Sequence, residues 1–444
     1  MTSNLALLSD GGLSCASVFS AKQAKEPPHP PQVLSLAGIR KNEIDRSHSL
    51  VAPSCLTFKC EFRIHKFVDP QKTDIPTEDR IIHDHPLQAN TTLGVGGPAR
   101  YYLPVTTVGQ LKGAVDWARQ QGIPFVVLAG GSNVVIADDG VEGLVVHLQI
   151  KGREVHIQGE DVFLRVQAGE HWDYVVEYAV ANGWAGIECL SGIPGSVGAT
   201  PIQNVGAYGQ QVSDTIATVE VLDLFTKKIV SFSNSDCGFG YRTSRFRTTD
   251  WGRYVVTSVT YRLQKDGRPI VRYPELAQFL QDRRFEHPTL AQVRGAVRTL
   301  RQRKAMLYDP NEVNSHSCGS FFVNPVLSQS EYEQFLERAR QANLLGPQET
   351  PPTFALESGD YKISAAWLIE RAGFRRGSRL GRAGISERHA LALINLGGAK
   401  SRDIIALAQL IQTQVHDKFG IELHPEPIFI GFAQPPLAGA KCLP

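Results

Sequence analysis

The sequence lacks long apolar runs, strong net charge and clustered cysteines. No stretch approaches the roughly eighteen consecutive apolar residues of a membrane-spanning helix, so an integral membrane protein is not expected. The formal net charge is only +2 at pH 7, which does not support a nucleic-acid or membrane-surface partner. The seven cysteines are scattered and form no C-x-x-C pair, so neither a zinc site nor a disulfide framework is indicated. Such cysteine usage is typical of a reducing, cytoplasmic setting.

Motifs of several common nucleotide and hydrolase sites are also missing. No G-x-G-x-x-G lies between a strand and a helix, because the glycines at 94–97 continue straight into Pro98. A dinucleotide-binding Rossmann unit is therefore not indicated. The phosphate-binding sequence G-x-x-x-x-G-K-[ST] does not occur, so phosphoryl transfer has no support. Ser320 lacks a G-x-S-x-G context, which argues against a hydrolytic nucleophile.

What is present is an ordinary globular composition in a long chain. The 444 residues are 42% hydrophobic and 20% charged, and a chain of this length normally forms two or three domains. Residues 1–82 differ from the rest, because they are rich in Ser, Pro and Lys without a sustained helical or strand period. We predict a disordered extension there. A transit peptide and a wrongly assigned start codon are the alternatives, and acidic residues such as Asp10 and Glu26 argue against the first.

After this extension, strand and helix patterns are interspersed. Strands are predicted at 124–128, 134–136, 143–148, 162–168, 218–225, 227–232 and 254–263. Helices are predicted at 107–121, 172–181, 274–284 and 401–419, with others starting at Thr289, Ser330 and Lys362. An apolar strand after Pro425 and Pro427 is predicted at a sheet edge, because proline cannot donate to a β-ladder. This order of elements predicts an α+β fold with a mixed sheet.

A glycine-rich loop at 193–209 is the first candidate for ligand binding. Four of its seventeen residues are glycine, two are proline, and its few polar side chains are Ser196, Thr200, Gln203, Asn204 and Tyr208. Glycine allows positive φ and lets a flat ligand lie against bare backbone, whereas proline fixes φ. The loop is therefore predicted to hold a large, rigid, partly apolar ligand, mainly through backbone amides. A plain surface loop is the alternative.

The turn Gly130-Gly131-Ser132-Asn133 is the second candidate, since it lies between two predicted strands. Successive backbone N–H groups in a glycine-rich turn form a concavity that binds anions such as phosphate. The side chains of Ser132 and Asn133 add further donors. An ordinary tight turn is the alternative. The basic run Arg298, Arg301, Arg303 and Lys304 is interpreted as either a solvated face or a clamp for an anionic substrate.

Three further side chains are candidates for chemistry. Arg242 is flanked by small and aromatic residues, where its guanidinium could be held rigidly toward a ligand. Ser320 lies between a glycine and two phenylalanines, which suits a proton donor in a partly apolar pocket. Glu426 stands between two prolines, and a buried carboxylate there needs a partner or a role. Ordinary exposed or turn positions are the alternatives. Cys318, close to Ser320, is predicted to serve in packing.

Six motifs together resemble those of the UDP-N-acetylenolpyruvoylglucosamine reductase family. They lie in that family's order and at similar spacing, at 90–99, 130–133, 193–209, 239–246, 319–325 and 425–431. The resemblance implies a cytoplasmic flavoenzyme of bacterial peptidoglycan synthesis, and we expect a monomer. The implied fold is the FAD-binding fold of the vanillyl-alcohol oxidase (PCMH) type in two subdomains, at 83–150 and 151–305. A substrate-binding α/β domain at 306–420 follows, and a strand at 421–433 returns to the first subdomain.

The resemblance also implies a reaction and its residues. Hydride passes from NADPH through FAD to the vinyl carbon of an enolpyruvyl ether, with no nucleic acid, membrane or metal involved. Arg242 and Glu426 would polarise the substrate carboxylate, and Ser320 would protonate the neighbouring carbon. The residues implied to bind FAD are Gly130, Gly131, Ser132, Asn133, Gly192, Ile193, Gly195, Ser196, Gly198, Ala199, Thr200, Asn204, Gly206 and Ala207. Those implied to bind the substrate are Tyr208, Tyr241, Tyr273, Lys304 and Asn324.

Two alternative hypotheses remain. Another flavoprotein of the same fold, such as an alcohol oxidase, often carries a histidine in the phosphate loop for covalent flavin attachment, and the turn at 130–133 has none. A flavin- or nucleotide-binding module without catalytic activity is the other hypothesis. The joint presence of the three candidate catalytic side chains argues against it.

Overall fold

The computed structural model describes Pro76 and residues 80–444 apart from 347 and 357, all within one unit, Arg63–Pro444. The extension predicted at 1–82 therefore lies almost entirely outside the described residues. Its last residues are the exception, because Ile81 is buried and the first strand begins at Ile82.

The first part of the fold is a four-stranded sheet with a helix packed on it. The elements of this part are β1 (Ile82–Pro86), β2 (Pro98–Val105), α1 (Val108–Gln121), β3 (Phe125–Leu128), β4 (Val134–Ile136) and β5 (Val141–Leu148). Strand β4 is not part of the four-stranded sheet. The sheet order is β1-β2-β5-β3, in which only β1 is antiparallel to its neighbour. Thr107 caps α1 by accepting a hydrogen bond from the Gln110 N–H. The Gln110 side chain accepts from Thr106, so the predicted capping box is not closed on Thr107.

The second part is a larger antiparallel sheet flanked by helices. Its strands are β6 (Arg153–Gln158), β7 (Asp161–Gln167), β8 (Trp184–Ala185), β9 (Gly206–Ala207), β10 (Gln210–Gln211), β11 (Ile216–Asp223), β12 (Ile229–Ser233) and β13 (Tyr254–Lys265). Its helices are α2 (Trp172–Ala181), α3 (Pro274–Gln281) and α4 (Leu290–Arg303). The main sheet runs β12-β11-β13-β7-β6, with β8 added beside β13, and β9 pairs with β10. Thr289 and Gln292 close a capping box at the start of α4.

The third part contains short strands and the longest helix. Its elements are β14 (Val326–Leu327), α5 (Gln329–Gln341), β15 (Thr353–Ala355), β16 (Tyr361–Ile363), α6 (Ala365–Ala372), β17 (Arg379–Leu380), β18 (Ala383–Ile385), β19 (Leu393–Asn395), α7 (Ser401–Phe419), β20 (Ile428–Ile430) and β21 (Lys441–Leu443). The prediction that a helix begins at Lys362 was wrong. Lys362 lies in β16 and pairs with both Val326 and Phe354, and α6 begins only after the cap at Ser364.

Strand β20 is a central strand, so the prediction of an edge strand was wrong. It pairs in parallel with β4 on one side and with β21 on the other. Pro425 and Pro427 do not disturb this ladder, because the first paired residue is Ile428. The backbone N–H of Ile428 donates to the carbonyl of Asn133. The chain after Glu426 is thereby fixed to the end of the glycine-rich turn at 130–133.

Two extended apolar cores underlie these sheets. One joins the first and second parts and includes Val146, Leu164 and Tyr261. The other surrounds α5, α6 and α7 and takes in Leu93 and Phe429 from elsewhere in the chain. No helix in the described part of the chain is long and apolar enough to cross a membrane.

Candidate active site

A short antiparallel pairing of two loops brings Ser320 close to Glu426. Phe322 forms a β-bridge with Pro425, and the backbone N–H of Glu426 donates to the carbonyl of Phe321 at 2.8 Å. Phe321 and Phe322 are fully buried in the core around α5, α6 and α7. Because these two rings anchor the loop, Ser320 is held beside the segment that carries Glu426.

The carboxyl group of Glu426 is enclosed, with only 14% of the side chain exposed. Arg242 Nε lies 3.5 Å from Glu426 Oε1, and Gln203 Nε2 donates to the same oxygen at 3.2 Å. Arg247 Nη2 donates to the Glu426 backbone carbonyl at 2.7 Å. Burial raises the pKa of Glu426, and the charges of Arg242 and Arg247 oppose this only in part. The carboxyl is therefore suited to hold a proton.

Arg242 is presented by a tight turn. Gly240 and Thr243 exchange backbone hydrogen bonds across the two residues between them, and Arg242 takes a positive φ of 53°. A non-glycine residue rarely adopts this conformation, which persists only where its surroundings hold it. Here the guanidinium donates to the carbonyl of Gly206 at 2.8 Å and of Asn204 at 3.5 Å. Its position is therefore fixed against the loop at 193–209.

Ser320 follows a glycine that the turn requires. Gly319 has a φ of 82°, and its N–H donates to the hydroxyl of Ser317. Ser320 itself is only partly buried, so part of the residue is open to a ligand. Cys318 is buried in the core, and burial raises the pKa of its thiol to about 12. The cysteine is therefore a packing residue, as predicted.

The two glycine-rich loops lie in direct contact. A Cβ at Gly130 would come within 2.6 Å of the Cα of Gly195, so their backbones approach as only glycine permits. Ser132 Oγ donates to the carbonyl of Pro194 at 3.0 Å. A cleft of about 460 Å³ adjoins this contact. Its walls include Asn90, Gly130, His171, Gly192, Ile193, Gly195, Arg298 and Tyr308.

Three of the residues predicted to bind substrate form a cluster around Lys304. The rings of Tyr208 and Tyr273 meet edge to face at 5.4 Å between centroids. Lys304 Nζ lies 5.7 Å from the centroid of Tyr208 and forms an ion pair with Glu275 at 2.5 Å. Burial raises the pKa of Tyr208 to about 12, so its hydroxyl stays protonated at neutral pH.

Positive charge gathers around this cluster. Arg301 is buried and donates to the carbonyls of Gly192 and Met306. Burial lowers the pKa of Arg301 to about 10, which still leaves it charged at neutral pH. Burial, together with the charges of Lys304, Arg301 and Arg376, lowers the pKa of His389 to about 4. The imidazole is therefore neutral beside these cations.

The other two residues predicted to bind substrate, Tyr241 and Asn324, form a separate pair next to Arg242. Burial raises the pKa of Tyr241, and the polar groups of the nearby Asn324 oppose this in part. The side-chain oxygen of Asn324 accepts the Ala365 N–H at 2.9 Å. Lys362 Nζ lies 4.7 Å from the Tyr241 ring centroid. Burial and the nearby charge of Arg242 lower the pKa of Lys362. Two cations are thus held near one partly exposed tyrosine.

Two regions of the chain that contribute residues to this site match known protein families. Residues 99–232 match the FAD binding domain, and residues 309–430 match the C-terminal domain of UDP-N-acetylenolpyruvoylglucosamine reductase. The UDP-N-acetylenolpyruvoylglucosamine reductase of Thermobifida fusca is 46% identical over 349 residues, which cover 78% of this chain and 97% of that protein. The protein of that name from Mycolicibacterium smegmatis is 43% identical and is covered to 94%.

The chain belongs to the UDP-N-acetylenolpyruvoylglucosamine reductase family. A crystal structure of the reductase from Thermus caldophilus matches with a TM-score of 0.52 at 26% identity, covering 79% of this chain and 98% of that one. The predicted α+β fold with an FAD-binding domain is thereby confirmed. This family member is an oxidoreductase of peptidoglycan precursor synthesis, with FAD as its cofactor and NADPH as its reductant.

The residues at the contact of the two loops fit FAD. Gly131 has a φ of 59°, and a Cβ there would lie 1.8 Å from the carbonyl oxygen of Asn90, so this position cannot carry a side chain. Ser196 Oγ is buried and has no hydrogen-bond partner within the described part of the chain. A buried hydroxyl of this kind is costly unless a ligand satisfies it. The cleft beside this hydroxyl is lined by the glycine-rich backbone at Gly130, Gly192 and Gly195, which suits a large anionic cofactor.

Other residues predicted to bind FAD have their side chains engaged within the protein. Thr200 Oγ1 contacts the Tyr261 hydroxyl at 2.7 Å, and Asn204 Nδ2 donates to the carbonyl of Gly240 at 3.1 Å. Asn133 Nδ2 donates to Gln203 Oε1 at 2.6 Å. These side chains shape the loop, and in this arrangement a cofactor would meet the backbone of their segments.

Sequence reasoning missed Gln203, Arg247 and Lys362 as site residues. Gln203 was recognisable only as one of the few polar side chains in the loop at 193–209, and Arg247 only as part of the segment that contains Arg242. Lys362 gave no signal, because its segment was predicted to be a helix. All three come near the site through contacts between segments distant in sequence.

Proposed function

We propose that this chain reduces the enolpyruvyl group of UDP-N-acetylglucosamine enolpyruvate to UDP-N-acetylmuramate, with Arg242, Ser320 and Glu426 as its catalytic residues. The observation that carries this proposal is the contact between Arg242 and Glu426, together with the backbone pairing that places the residues after Ser320 against the Glu426 segment. When bound, FAD supplies the redox chemistry that side chains lack, by accepting hydride from NADPH and delivering it to the vinyl carbon of the substrate.

Arg242 and Glu426 bind and polarise the substrate carboxylate. Hydride addition to the vinyl carbon leaves negative charge on the neighbouring carbon, and that charge spreads into the carboxylate. Arg242 is already fixed by the carbonyls of Gly206 and Asn204, so it need not reorganise as charge develops. One donor placed in this way contributes about 3 kcal/mol to transition-state stabilisation. Protonated Glu426 donates to the carboxylate, whereas the ionised form would repel it.

Ser320 donates the proton to the carbon that bears the negative charge. A hydroxyl is a weak acid, but a carbanion is a much stronger base, so the position of the donor matters more than its pKa. The buried Phe321 and Phe322 next to Ser320 provide that position. The serine alkoxide that remains is neutralised when it regains a proton from the solvent.

The nucleotide part of the substrate is held by the cluster of Tyr208, Tyr273 and Lys304. Tyr208, Tyr273 and Lys304 offer two hydroxyl donors and an ammonium group close together, which suits a diphosphate. Tyr241, Asn324 and Lys362 lie near Arg242 and are assigned to substrate groups nearer the reacting carbon.

We also propose two FAD-binding subdomains at 83–150 and 151–305, and a substrate-binding domain at 306–420. The strand at 421–433 would return to the first subdomain, and the pairing of β20 with β4 supports this. The apolar core around α5, α6 and α7 supports a separate third domain. A cytoplasmic monomer remains our proposal.

The test is to reduce the purified protein anaerobically with NADPH and then add UDP-N-acetylglucosamine enolpyruvate while the flavin absorbance is recorded. Bleaching followed by recovery is expected, since each half-reaction changes the flavin once. Bleaching without recovery would contradict the proposed acceptor. Failure of the protein to bind flavin would contradict the whole proposal.

A further inference from the structure

Gln203 lies at the centre of a hydrogen-bond network that leads to Glu426. Its Oε1 accepts from Asn133 Nδ2 at 2.6 Å and from Arg247 Nη1 at 3.2 Å. Its Nε2 donates to Glu426 Oε1 at 3.2 Å. A guanidinium has only donors, so the amide oxygen must face Arg247 and the amide NH₂ must face Glu426. The orientation of this amide is therefore determined by its partners.

The network also fixes the backbone around Glu426. Arg247 Nη2 donates to the Glu426 carbonyl at 2.7 Å, and the Glu426 N–H donates to the carbonyl of Phe321. Pro425 and Pro427 restrict the chain on either side. With the backbone held in this way, the direction of the carboxyl group depends on the partners of its oxygens.

Those partners distinguish the two carboxyl oxygens. Oε1 faces the N–H of Gln203 and the guanidinium of Arg242. An oxygen that faces two donors is a poor place for a proton, because an O–H there would meet N–H hydrogens. The proton of a neutral Glu426 is therefore directed to Oε2.

We propose that Gln203 is a positioning residue that directs the proton of Glu426 to Oε2 and orients that group for the substrate carboxylate. This inference rests on the proposed role of Glu426 in the reaction. Gln203 acts through Glu426 and does not itself touch the reacting atoms.

Gln203 shares Oε1 of Glu426 with Arg242, and its contact of 3.2 Å is shorter than the 3.5 Å of Arg242. The charged and titratable groups that face the carboxyl in the described chain are Arg242, Arg247, Tyr241 and Cys318. Burial raises the pKa values of Tyr241 and Cys318, so both are neutral at neutral pH. Gln203 supplies the neutral N–H donor that selects one oxygen of Glu426.

The test compares the two half-reactions in Gln203→Glu. This change keeps an acceptor for Asn133 and Arg247 but replaces the donor with an oxygen, which would draw the Glu426 proton toward residue 203. We expect FAD binding and flavin reduction by NADPH within about twofold of the unaltered protein. Reoxidation by substrate should slow by about 10- to 100-fold, the loss typical of removing an orienting hydrogen bond behind a functional group. The rate of reoxidation is expected to decline at high pH as Glu426 loses its proton. In Gln203→Glu this decline should move to higher pH, because a nearby negative charge raises the pKa of Glu426.

Gln203→Met provides a second test without a new charge, and Gln409→Glu on the exposed face of α7 is the matched control. Slow reoxidation in both Gln203 variants, with the control unchanged, supports the proposal. Reoxidation at the normal rate with an unshifted profile would overturn it, as would equal slowing of both half-reactions. Glu426→Gln distinguishes the role of Glu426 from the role of Gln203. Normal reoxidation in Glu426→Gln would show that the proposed role of Glu426 is wrong. Slow reoxidation in Glu426→Gln, with normal reoxidation in both Gln203 variants, would reject only the role of Gln203.

Discussion

Arg242 Nε lies 3.5 Å from Glu426 Oε1, and neither residue belongs to a regular helix or strand. Arg242 is held in a strained turn by backbone carbonyls, and Glu426 is held between two prolines by a loop pairing. Arg242 does not fully offset the effect of burial on the carboxyl group, so the pKa of Glu426 stays raised. A fixed cation beside a carboxyl that readily holds a proton suits the binding of a carboxylate.

Replacing Ser320 with alanine is expected to separate the two half-reactions. The variant removes the proposed proton donor but leaves the buried Phe321 and Phe322 that anchor the loop. Flavin reduction by NADPH should be unchanged, whereas reoxidation by substrate should slow by about 10²- to 10⁴-fold. Stopped-flow absorbance measures both steps. Ser330→Ala, at an exposed position in α5, is the control, and normal reoxidation in Ser320→Ala would rule out the assignment.

Replacing Arg242 with lysine should show that its geometry matters as well as its charge. One ammonium group cannot reproduce the planar set of donors that contacts Gly206 and Asn204 while facing Glu426. We expect reoxidation to slow by about 10²- to 10³-fold, as for the loss of one preorganised donor. Arg253→Lys, where a partly exposed arginine pairs with the buried Asp223, is the matched control. Equal rates in the two lysine variants would show that only the charge is needed.

Local signals predicted much of the fold. Helices α2 and α7 have the bounds that their periodicity indicated, since an apolar face and its caps are encoded in neighbouring residues. Two of the wrong predictions concern pairing between distant segments. β20 is central because β4 and β21 reach it, and Lys362 lies in a strand because β14 and β15 flank it. In neither case can the partner strands be identified from the local sequence pattern.

The candidate site also contains residues that could be predicted from the sequence and residues that could not. Arg242, Ser320 and Glu426 lie in distinctive motifs and could be proposed from the sequence. Gln203 and Arg247 could not, because their importance depends on which atoms they meet across the fold. An amide or a guanidinium in a loop has many possible partners, and only the packed structure selects one.

The raised pKa of Glu426 predicts a pH dependence of activity. If the protonated form is needed, reoxidation is fastest below this pKa and declines as the pH rises through it. Glu426→Gln cannot ionise, so its remaining activity should lack this limb. Rates of reoxidation at a series of pH values check this, with the NADPH step as the internal control. An identical alkaline limb in both proteins would assign it to another group.

The same shift predicts a pH dependence of stability. The folded pKa of Glu426 is higher than the unfolded one, so the native state binds the proton more tightly. Its contribution to stability is complete below the unfolded pKa and is lost as the pH rises through the folded pKa. The free energy of unfolding should therefore fall more steeply with pH in the unaltered protein than in Glu426→Gln. Urea unfolding at several pH values measures the difference, and parallel curves would contradict the shift.

Alanine variants of two glycines with similar backbone angles distinguish the effect of backbone strain from the effect on ligand binding. Gly131 has a φ of 59° and its added Cβ would lie 1.8 Å from the Asn90 carbonyl, whereas Gly159 has a φ of 61° and open space around it. Gly159→Ala should lose about 1–2 kcal/mol of stability, the cost of a left-handed alanine, and keep its flavin. Gly131→Ala adds a backbone clash at the turn that fits FAD. It should lose more stability and be purified largely without flavin, as its absorbance spectrum and the dissociation constant for added FAD would record. Equal flavin content in the two variants would mean that the turn at 130–133 does not hold the cofactor.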